Sequence, residues 1–401
     1  MQELLVAEYP PGWDVLELGG VGTWLSGGTP PTDNSSYWGG KTPWISAASL
    51  KVFDISDSER RVTELGVAAG ARRVSSGAVI FVVRGMSLKN EFRVGVTTRD
   101  VTFGQDCKAI LPRKGINPRF LAYSLKARED EILAMVDEAG HGTGRLSSNR
   151  LAGLEIEIPG RAQQDEIVNI LDSVSERSLL AEKVVKKKQK IRSGIVESLV
   201  SGAFPSRMLG EFLELGPQNG LYKPASAYLD GKVRIVRIDS FGGGSIHSDA
   251  TLLRVDASQV EVGKYGLHAG DILINRVNTV QLVGKSALVK DVREDTVFES
   301  NVMRLRVRDV ELLPEFLIHV LQGARVSRYF QSSAKSAVSQ ASINQVDVSG
   351  CPVVVPDISS QKKVVSLMSS IDDEIRSLED DLAKIRRIRR ALAKSLIVRG
   401  C

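Results

Sequence analysis

The chain has 401 residues, of which 42% are hydrophobic and 25% charged, a balance that is ordinary for a soluble globular protein. Its formal net charge of +5 permits a polyanionic partner but does not identify one. The three cysteines are too few and too scattered for a disulfide framework, the first residues resemble no secretory signal, and no apolar run reaches the ~18 residues of a membrane span. We therefore expect a cytoplasmic protein of two or more domains, each with its own core.

Residues 1–160 are predicted to form a first domain of mixed α/β structure. Its first residues are rich in glycine and proline, which predicts turns, and β-type runs follow at residues 79–83 and 92–96. A helix is predicted to begin at Pro118, because proline suits the first helical position. A last strand over residues 154–158 stops at Pro159.

Residues 161–203 change to a helical period. Apolar residues recur at intervals of three and four positions or their multiples, which predicts a long amphipathic helix ended by Gly202 and Pro205. The predicted apolar face contains seven residues: Ile167, Leu171, Val174, Ala181, Val185, Ile195 and Leu199.

Residues 204–357 repeat the mixed pattern, and residues 358–401 repeat the helix. Strands are predicted over 233–238, 271–274, 302–307 and 352–355, with a helix from Pro314. The last helix carries a continuous apolar seam, typical of a coiled coil, which includes Ile371, Ile375, Leu378, Leu382, Ile385, Ile388 and Leu392. Because a rod this long needs a partner for its apolar stripe, we expect the two helices to pair. The predicted fold class is α+β.

The two halves are related by an internal repeat. Four residues recur in order 196 positions later: Pro118, Phe120, Leu121 and Leu125 return as Pro314, Phe316, Leu317 and Leu321. Pro159 and Gln164 likewise return as Pro356 and Gln361. A period this long indicates a duplicated domain, whose two similar surfaces would suit a partner with two similar halves.

Catalytic motifs are present only as fragments. The tripeptide GKT at 40–42 resembles the end of a phosphate-binding loop, but Ser35 stands where that pattern needs glycine. The segment NPRF at 117–120 resembles the N-P-P-[FY] motif of adenine methyltransferases without its second proline. The histidines and cysteines have no metal-ligand spacing. These absences favour a binding or scaffolding protein, without a metal or cofactor of its own, over an enzyme.

Several short motifs of the first half occur together in one known family. They are GGTP at 27–30, YWGG at 37–40, PWIS at 43–46, and a run from GTGRL at 142–146 to Gln164 and Ile167. With the order of globule, helix, globule and helix, they resemble the specificity subunits of type I restriction–modification systems. The second half has neither the GGTP motif nor the Tyr-Trp pair.

The resemblance implies two target-recognition domains held apart by an antiparallel coiled coil. Each domain would read one half of a bipartite site in double-stranded DNA. The helices would set the unspecified gap and bind two methyltransferase subunits, which restriction subunits then join. It also implies that this chain has no catalytic residue, and that partners bind S-adenosylmethionine and ATP.

Base reading requires side chains that project into a groove, supported by cations on phosphates. The glycine-rich segment 139–145 is the first candidate, with His141, Thr143 and Arg145, and arginine suits a bidentate contact to guanine. Counting 195 positions on places Gln340 at the position of Arg145, and glutamine suits adenine. Lys335 and Ser339 lie beside Gln340. The alternative is a surface turn that contacts only phosphate or nothing.

Other candidate DNA contacts lie in or beside turns. They are Lys41, Trp44, Lys51, Arg84 and Lys89 in the first half, and Arg276, Asn278, Gln281 and Lys285 in the second. For the polar residues the alternative is a solvated side chain, and for Trp44 it is core packing. The basic runs at 183–192 and 384–390 are either solvated helix faces or contacts to phosphate or an acidic partner.

Other functions stay open at this point. A fused methyltransferase–specificity chain would need a methyl-donor domain, and the sequence shows none. A coiled-coil scaffold with carbohydrate- or protein-binding globules predicts no affinity for DNA. A specificity subunit of a different modification or phage-defence complex would have the same sequence features.

Overall fold

A computed structural model describes residues 12–139, 142–201, 206–228, 231–247, 252–336 and 340–398. The chain divides into two compact units. The first unit contains the residues up to Glu182 together with those from Asp380 onwards, and the second contains Lys183–Glu379. Both boundaries fall inside long helices, so each unit contains one part of each helix.

The first globule combines short strands with short helices. Its described strands are β1 Asp14–Glu17, β2 Gly22–Ser26, β3 Trp38–Ile45, β4 Asp54–Ile55, β5 Arg61–Val62, β6 Arg72–Val74, β7 Val79–Val82, β8 Arg84–Gly85, β9 Val94–Thr97, β10 Val101–Phe103, β11 Cys107–Pro112, β12 Val136–Ala139, β13 Thr143–Leu146 and β14 Glu155–Ile158. Its helices are α1 Glu64–Ala68, α2 Pro118–Ala127, α3 Glu129–Ala134 and α4 Ser148–Ala152, and the long helix α5 Arg161–Ser201 follows.

The second globule repeats this order. Its described strands are β15 Ser206–Met208, β16 Leu213–Asn219, β17 Val233–Val236, β18 Phe241–Gly242, β19 Gly244–Ile246, β20 Leu253–Val255, β21 Ile272–Asn275, β22 Val277–Asn278, β23 Ser286–Leu288, β24 Thr296–Phe298, β25 Val302–Val307, β26 Lys335–Ser336, β27 Ala341–Ser342 and β28 Pro352–Val354. Its helices are α6 Gln259–Tyr265, α7 Pro314–Leu321, α8 Ala324–Ser333 and α9 Gln345–Ser349, followed by α10 Ile358–Ile397.

Corresponding strands build corresponding sheets in the two units. The main sheet has the order β2-β11-β7-β9-β4 in the first unit and β16-β25-β21-β23-β19-β18 in the second. A small sheet, β12-β13-β8, has β22-β27-β26 as its counterpart. Parallel pairing of β3 with β10 returns as β17 with β24. The fold is therefore α+β and internally duplicated, as the sequence predicts.

Each globule shares its core with parts of both long helices. In the first unit Leu171 of α5 and Ile397 of α10 belong to the cluster that contains the fully buried Phe120 of α2. In the second unit Val196 of α5 and Met368 of α10 are buried in the main cluster. Helices and globule are therefore stabilised together, because a long amphipathic helix gains most of its stability from packing.

The repeated glutamines make the same three hydrogen bonds in the two units. Gln164 is 1% exposed; its Oε1 accepts from the Asn117 amide at 2.7 Å, and its Nε2 donates to the carbonyls of Gly115 and Pro159. Gln361 is fully buried; its Oε1 accepts from the Leu313 amide at 2.8 Å, and its Nε2 donates to the carbonyls of Glu311 and Pro356. One side chain thus joins the start of each long helix to the loop before α2 or α7.

The long helices run antiparallel within each unit. In the second unit Lys188 pairs with Glu374 and the later Arg192 with the earlier Asp372. In the first unit Glu182 of α5 pairs with Arg386 of α10.

The predicted seam residues are mostly withdrawn from solvent. Buried ones are Ile167, Leu171, Ile371, Ile375 and Leu382, and half-buried ones are Val174, Ile195, Leu378, Ile385 and Leu392. The side chain of Leu199 lies outside the described residues. The placement of Ile388 on the seam is wrong, since it is 48% exposed. The inward face passes from Ile385 to Leu392 through Arg389, which is half-buried.

At the GGTP motif the backbone passes in close contact with another backbone segment of the same unit. A Cβ on Gly28 would lie 1.9 Å from the Gly70 carbonyl oxygen, and the Gly28 carbonyl accepts the Trp44 indole N–H at 3.1 Å. In the second unit Gly220 corresponds to Gly27, because its amide donates to Val302 as that of Gly27 donates to Cys107, and Leu221 stands where the first unit has Gly28. The second half therefore keeps the close approach at the first glycine of the motif and not at the second.

His319 of α7 is a buried histidine held neutral beside a cation. Arg192 Nη2 lies 3.5 Å from His319 Nδ1 and donates to Gln322 Oε1 at 3.1 Å. Burial, and secondly the charge of Arg192, lowers the pKa of His319 to about 4. The corresponding residue of α2 is Tyr123, and burial raises the pKa of its hydroxyl above the usual range.

We expect acid to destabilise the second unit through His319. Between pH 6.5 and 4 the unfolded chain binds a proton there that the folded chain excludes, so stability falls as the pH falls. The expected loss by pH 4.5 is about 2–3 kcal/mol. Denaturant unfolding of the wild type and of His319→Gln over this range measures it, with the variant showing a shallower dependence. Equal slopes for the two proteins would contradict the assignment.

Candidate nucleic-acid interface

The segment predicted to read DNA contains the central strand of the small sheet in the first unit. The strand β13 pairs antiparallel with β12 on one side and with β8 on the other. Arg145 of β13 therefore lies directly opposite Asp137 of β12 and Arg84 of β8. Because directly opposed residues project to the same face, these three side chains form one row, here called the first-unit row.

The first-unit row lines a cleft of about 820 Å³. Val83 and Leu146 add apolar lining and are joined by a hydrogen bond from the Leu146 amide to the Val83 carbonyl at 2.8 Å. The other lining residues are Gln105, Lys108, Glu138, Ser147, Ser148 and Asn149. The cleft is therefore lined by cationic hydrogen-bond donors and by anionic acceptors.

Arg84 and Arg145 oppose each other as like charges. Both side chains are exposed, and within the described part of the chain neither forms an ion pair. The neighbouring Asp137 carboxylate instead accepts from Arg150 Nη1 at 3.2 Å. Like charges directly opposed on a sheet are destabilising. This pair is therefore suited to an anionic ligand and is not explained by stability.

Lys89 and Thr143 lie beside the cleft but do not line it. Lys89 Nζ lies 3.8 Å from Glu138 Oε1. A Cβ on Gly142 would lie 3.2 Å from that ammonium, and the φ of Gly142 is +73°, so glycine suits both the backbone and the space. The structure thus places Arg84 and Arg145 in the cleft and Lys89 and Thr143 beside it, whereas His141 lies outside the described residues.

Sequence reasoning missed the other polar residues of the cleft. Lys108 lies at an outward position of β11, between the buried Cys107 and Ala109, and its Nζ donates to Ser26 Oγ at 3.0 Å. A cation between buried neighbours of a strand was the available signal. Asp137 and Glu138 gave no signal, because acidic residues are not expected to face DNA.

The second unit builds the corresponding sheet in the same register. The Ile343 amide donates to the Arg276 carbonyl at 2.9 Å, as the Leu146 amide donates to Val83. The strand β27 then pairs with β22 and β26 as β13 pairs with β8 and β12.

This register corrects the predicted equivalence of Arg145 and Gln340. The counterpart of Arg145 is Ser342, and Gln340 corresponds to Thr143. The count of 195 positions was wrong because strand pairing, and not a constant sequence offset, decides which residues are equivalent.

The corresponding row of the second unit has different chemistry. Ser342 lies opposite Val277 and Lys335, where the first-unit row has Arg145 between Arg84 and Asp137. Asn278 lies in the next row, and Lys335 and Gln340 are exposed beside it. The same backbone therefore presents unlike side chains in the two units.

The remaining predicted residues of the second half have varied surroundings. Gln281 is exposed in the loop after β22, and Ser339 lies outside the described residues. Arg276 Nη1 donates to the Ser300 carbonyl at 3.3 Å. Lys285 Nζ lies 5.3 Å from the ring centroid of Phe241. Both cations are half-buried and already have partners on their own unit.

Trp44 is a packing residue. It is 6% exposed, its indole bonds to Gly28, and its ring lies 5.3 Å from that of Trp38 in an edge-on contact. The structure thus favours core packing for Trp44. Lys41 and Lys51 are exposed, but they do not line the cleft.

Some cations of the basic runs at 183–192 and 384–390 form ion pairs between the two long helices. Lys188 and Arg192 pair with α10, and Arg386 pairs with Glu182 of α5. Other cations of these runs stay exposed: Lys183, Lys186, Lys187, Lys190, Lys384, Arg387 and Arg390. Among the described residues, no helix is apolar over a stretch long enough to cross a membrane.

Curated relatives include specificity subunits of type I restriction enzymes. That of EcoR124I/EcoR124II from Escherichia coli is 28% identical over 157 residues, which are 39% of this chain and 39% of that protein. The MjaVIII specificity subunit from Methanocaldococcus jannaschii is 19% identical over 409 residues, 97% of this chain and 92% of that one. For several relatives the match thus spans well under two thirds of their length.

Solved structures share the fold over nearly the whole chain. One comes from work on complex assembly and conformational transition of the type I R-M system; it has a TM-score of 0.61 at 18% identity and covers 96% of this chain and 98% of that chain. The S subunit from M. genitalium has a TM-score of 0.54 at 15% identity and covers 97% of each chain.

A family model matches the chain twice. Its description is "Type I restriction modification DNA specificity domain", and it matches residues 10–192 and again residues 205–387. The two matches take in most of both units and agree with the repeated sheets. The chain therefore belongs to the family of type I restriction–modification specificity subunits.

Proposed function

We propose that this chain reads a bipartite site in double-stranded DNA, one half with each globule. Residues 1–160 and 204–357 would be the two target-recognition domains, and residues 161–203 and 358–401 the helices that join them. The observation that carries the proposal is the opposed pair Arg84 and Arg145 in a polar cleft. Among the described residues this guanidinium pair has no ion-pair partner, and two such groups suit phosphates and guanine edges.

The unlike rows of the two small sheets support a site with two different halves. A duplicated fold that bound two identical half-sites would be expected to keep the same contact residues. Here the strand register is kept, while the first-unit row and its counterpart differ at every position. Half-sites of different sequence follow naturally from this divergence.

We propose that the long helices bind two methyltransferase subunits and that restriction subunits complete the complex. Exposed apolar residues on α5 support a protein partner there: Leu179, Leu180, Val184 and Ile191 are 43–55% exposed. S-adenosylmethionine and ATP would be bound by those partners. The proposed location is the cytoplasm, where such a complex meets DNA.

Mapping methylated bases genome-wide, with and without the gene for this chain, tests the proposal. We expect a bipartite motif whose methylation disappears on deletion and returns with the wild-type gene. An unchanged methylome, together with no DNA affinity of the purified chain, would favour a scaffold. If methylation is lost on deletion but no restriction subunit is encoded beside the gene, the chain would serve a different modification or defence complex.

A further inference from the structure

A carboxylate in the cleft is unexpected for a surface that binds DNA. Asp137 shares the first-unit row with two arginines, and its side chain is 67% exposed. Its pair with Arg150 is itself 55% exposed on the arginine side, and such surface pairs contribute little to stability. Facing a polyanion, the carboxylate would weaken binding through repulsion of phosphates.

The fold does not require this carboxylate. The second unit builds the same three-stranded sheet, in the same register, with Lys335 at the position of Asp137. Because aspartate and lysine serve the same backbone equally, the acidic residue calls for a reason other than folding. A hydrogen-bond acceptor beside two donors is the remaining chemical property of the position.

The chemistry of the row matches one base pair. In the major groove guanine presents two acceptors, O6 and N7, and cytosine presents the N4 amino donor. Arg84 and Arg145 are donors only, and an ionised aspartate is an acceptor only. With strands about 4.8 Å apart, the three positions spread over about 10 Å, within the roughly 12 Å width of the groove.

We propose that Asp137 is a specificity-determining residue that, with Arg145 and Arg84, reads a G·C pair in one half-site. This inference rests on the proposed function and specifies which base pair the first globule recognises. Asp137 accepts from the cytosine amino group while arginine donates to guanine. At any base pair that offers no amino donor there, the carboxylate finds no donor on the DNA and repels the acceptors that it meets. The second-unit row, with Lys335, lacks this acceptor and reads a different half-site.

Selection from a pool of random-sequence DNA duplexes tests the proposal, with the full chain in complex with its partner subunits. Wild type should enrich a bipartite motif with a fixed G·C pair in one half. The isosteric Asp137→Asn should lower the preference for that pair about tenfold, and asparagine's affinity for adenine should raise A·T there. The other half-site should stay unchanged. The control is Glu131→Gln, an exposed acid of α3 that does not line the cleft.

The outcomes separate this inference from the proposed function. If wild type enriches no motif, the proposed function itself fails. If wild type enriches a bipartite motif and Asp137→Asn leaves both halves unchanged, the role of Asp137 is overturned while the function stands. A uniform rise in affinity, or a uniform loss, also overturns it, because repulsion or structural damage would act on all sequences alike. Lys335→Gln should change only the half-site that Asp137→Asn spares, and a change in the same half would contradict the assignment.

Discussion

Replacing Gln164 with alanine is expected to lower the free energy of unfolding of the first unit by about 3–4 kcal/mol. The substitution leaves the Asn117 amide and the carbonyls of Gly115 and Pro159 without their partner. A buried polar group that loses its hydrogen bond costs about 1–3 kcal/mol, and water entering the gap offsets part of that cost. Gln361→Ala should have an equal effect on the second unit, because its three bonds are the same.

The measurement has to distinguish the two units, which need not unfold together. Hydrogen exchange followed by peptide mass does so. Gln164→Ala should accelerate exchange around residues 113–168 and Gln361→Ala around residues 309–365, each sparing the other region. The matched control is Glu166→Ala, two positions further along α5, where the side chain is exposed. Gln164→Met, which keeps the length but removes the polar atoms, should resemble alanine; near-wild-type stability would show that packing and not hydrogen bonding matters.

The glutamines also show how far the sequence could predict this fold. Their recurrence, with that of Pro159 and Pro356, marked the junction of globule and helix before any contact was known. Strand and helix positions followed from periodicity, because burial imposes a period of two on strands and near 3.6 on helices. The helix predicted to begin at Pro118 is present as α2, which begins at that residue.

The candidate site was less predictable, for a physical reason. Arg145 was singled out by its glycine-rich neighbourhood, but its partners Arg84 and Asp137 come from strands far away in sequence. Their alignment depends on the hydrogen-bond register of a three-stranded sheet, and no local pattern encodes it. Because the sequence does not reveal this register, Gln340 was wrongly predicted to be the counterpart of Arg145.

Trp44 illustrates the opposite error, in which residue type suggested a role that burial removes. An aromatic residue next to turns can stack on bases, but it is also a large apolar side chain that a small domain tends to bury. Its indole bond to Gly28 and its contact with Trp38 satisfy both its polar and its apolar parts inside the unit. The GGTP motif that suggested the family is thus largely a packing motif.

Arg145→Ala is expected to weaken DNA recognition and to leave stability nearly unchanged. In the free chain the substitution removes both the like charge opposite Arg84 and the opposite charge facing Asp137, so the free energy of unfolding should change by less than about 0.5 kcal/mol. Recognition of one half-site should fall about tenfold or more, the range of a lost bidentate contact to guanine. A residue held in place for folding would not show this combination.

A second substitution separates the charge of Arg145 from its geometry, and a third serves as a control. Arg145→Lys keeps the positive charge but loses the planar fork, so overall affinity and its salt dependence should hold while preference at one base pair relaxes. Arg113→Ala removes an exposed arginine that does not line the cleft, and should change neither preference nor stability measurably. Binding to matched and mismatched duplexes at several salt concentrations, with thermal unfolding of the free chain, measures all three. If Arg145→Ala destabilises the free chain and leaves preference intact, the cleft is a structural feature, and the reading surface of the first unit must lie elsewhere.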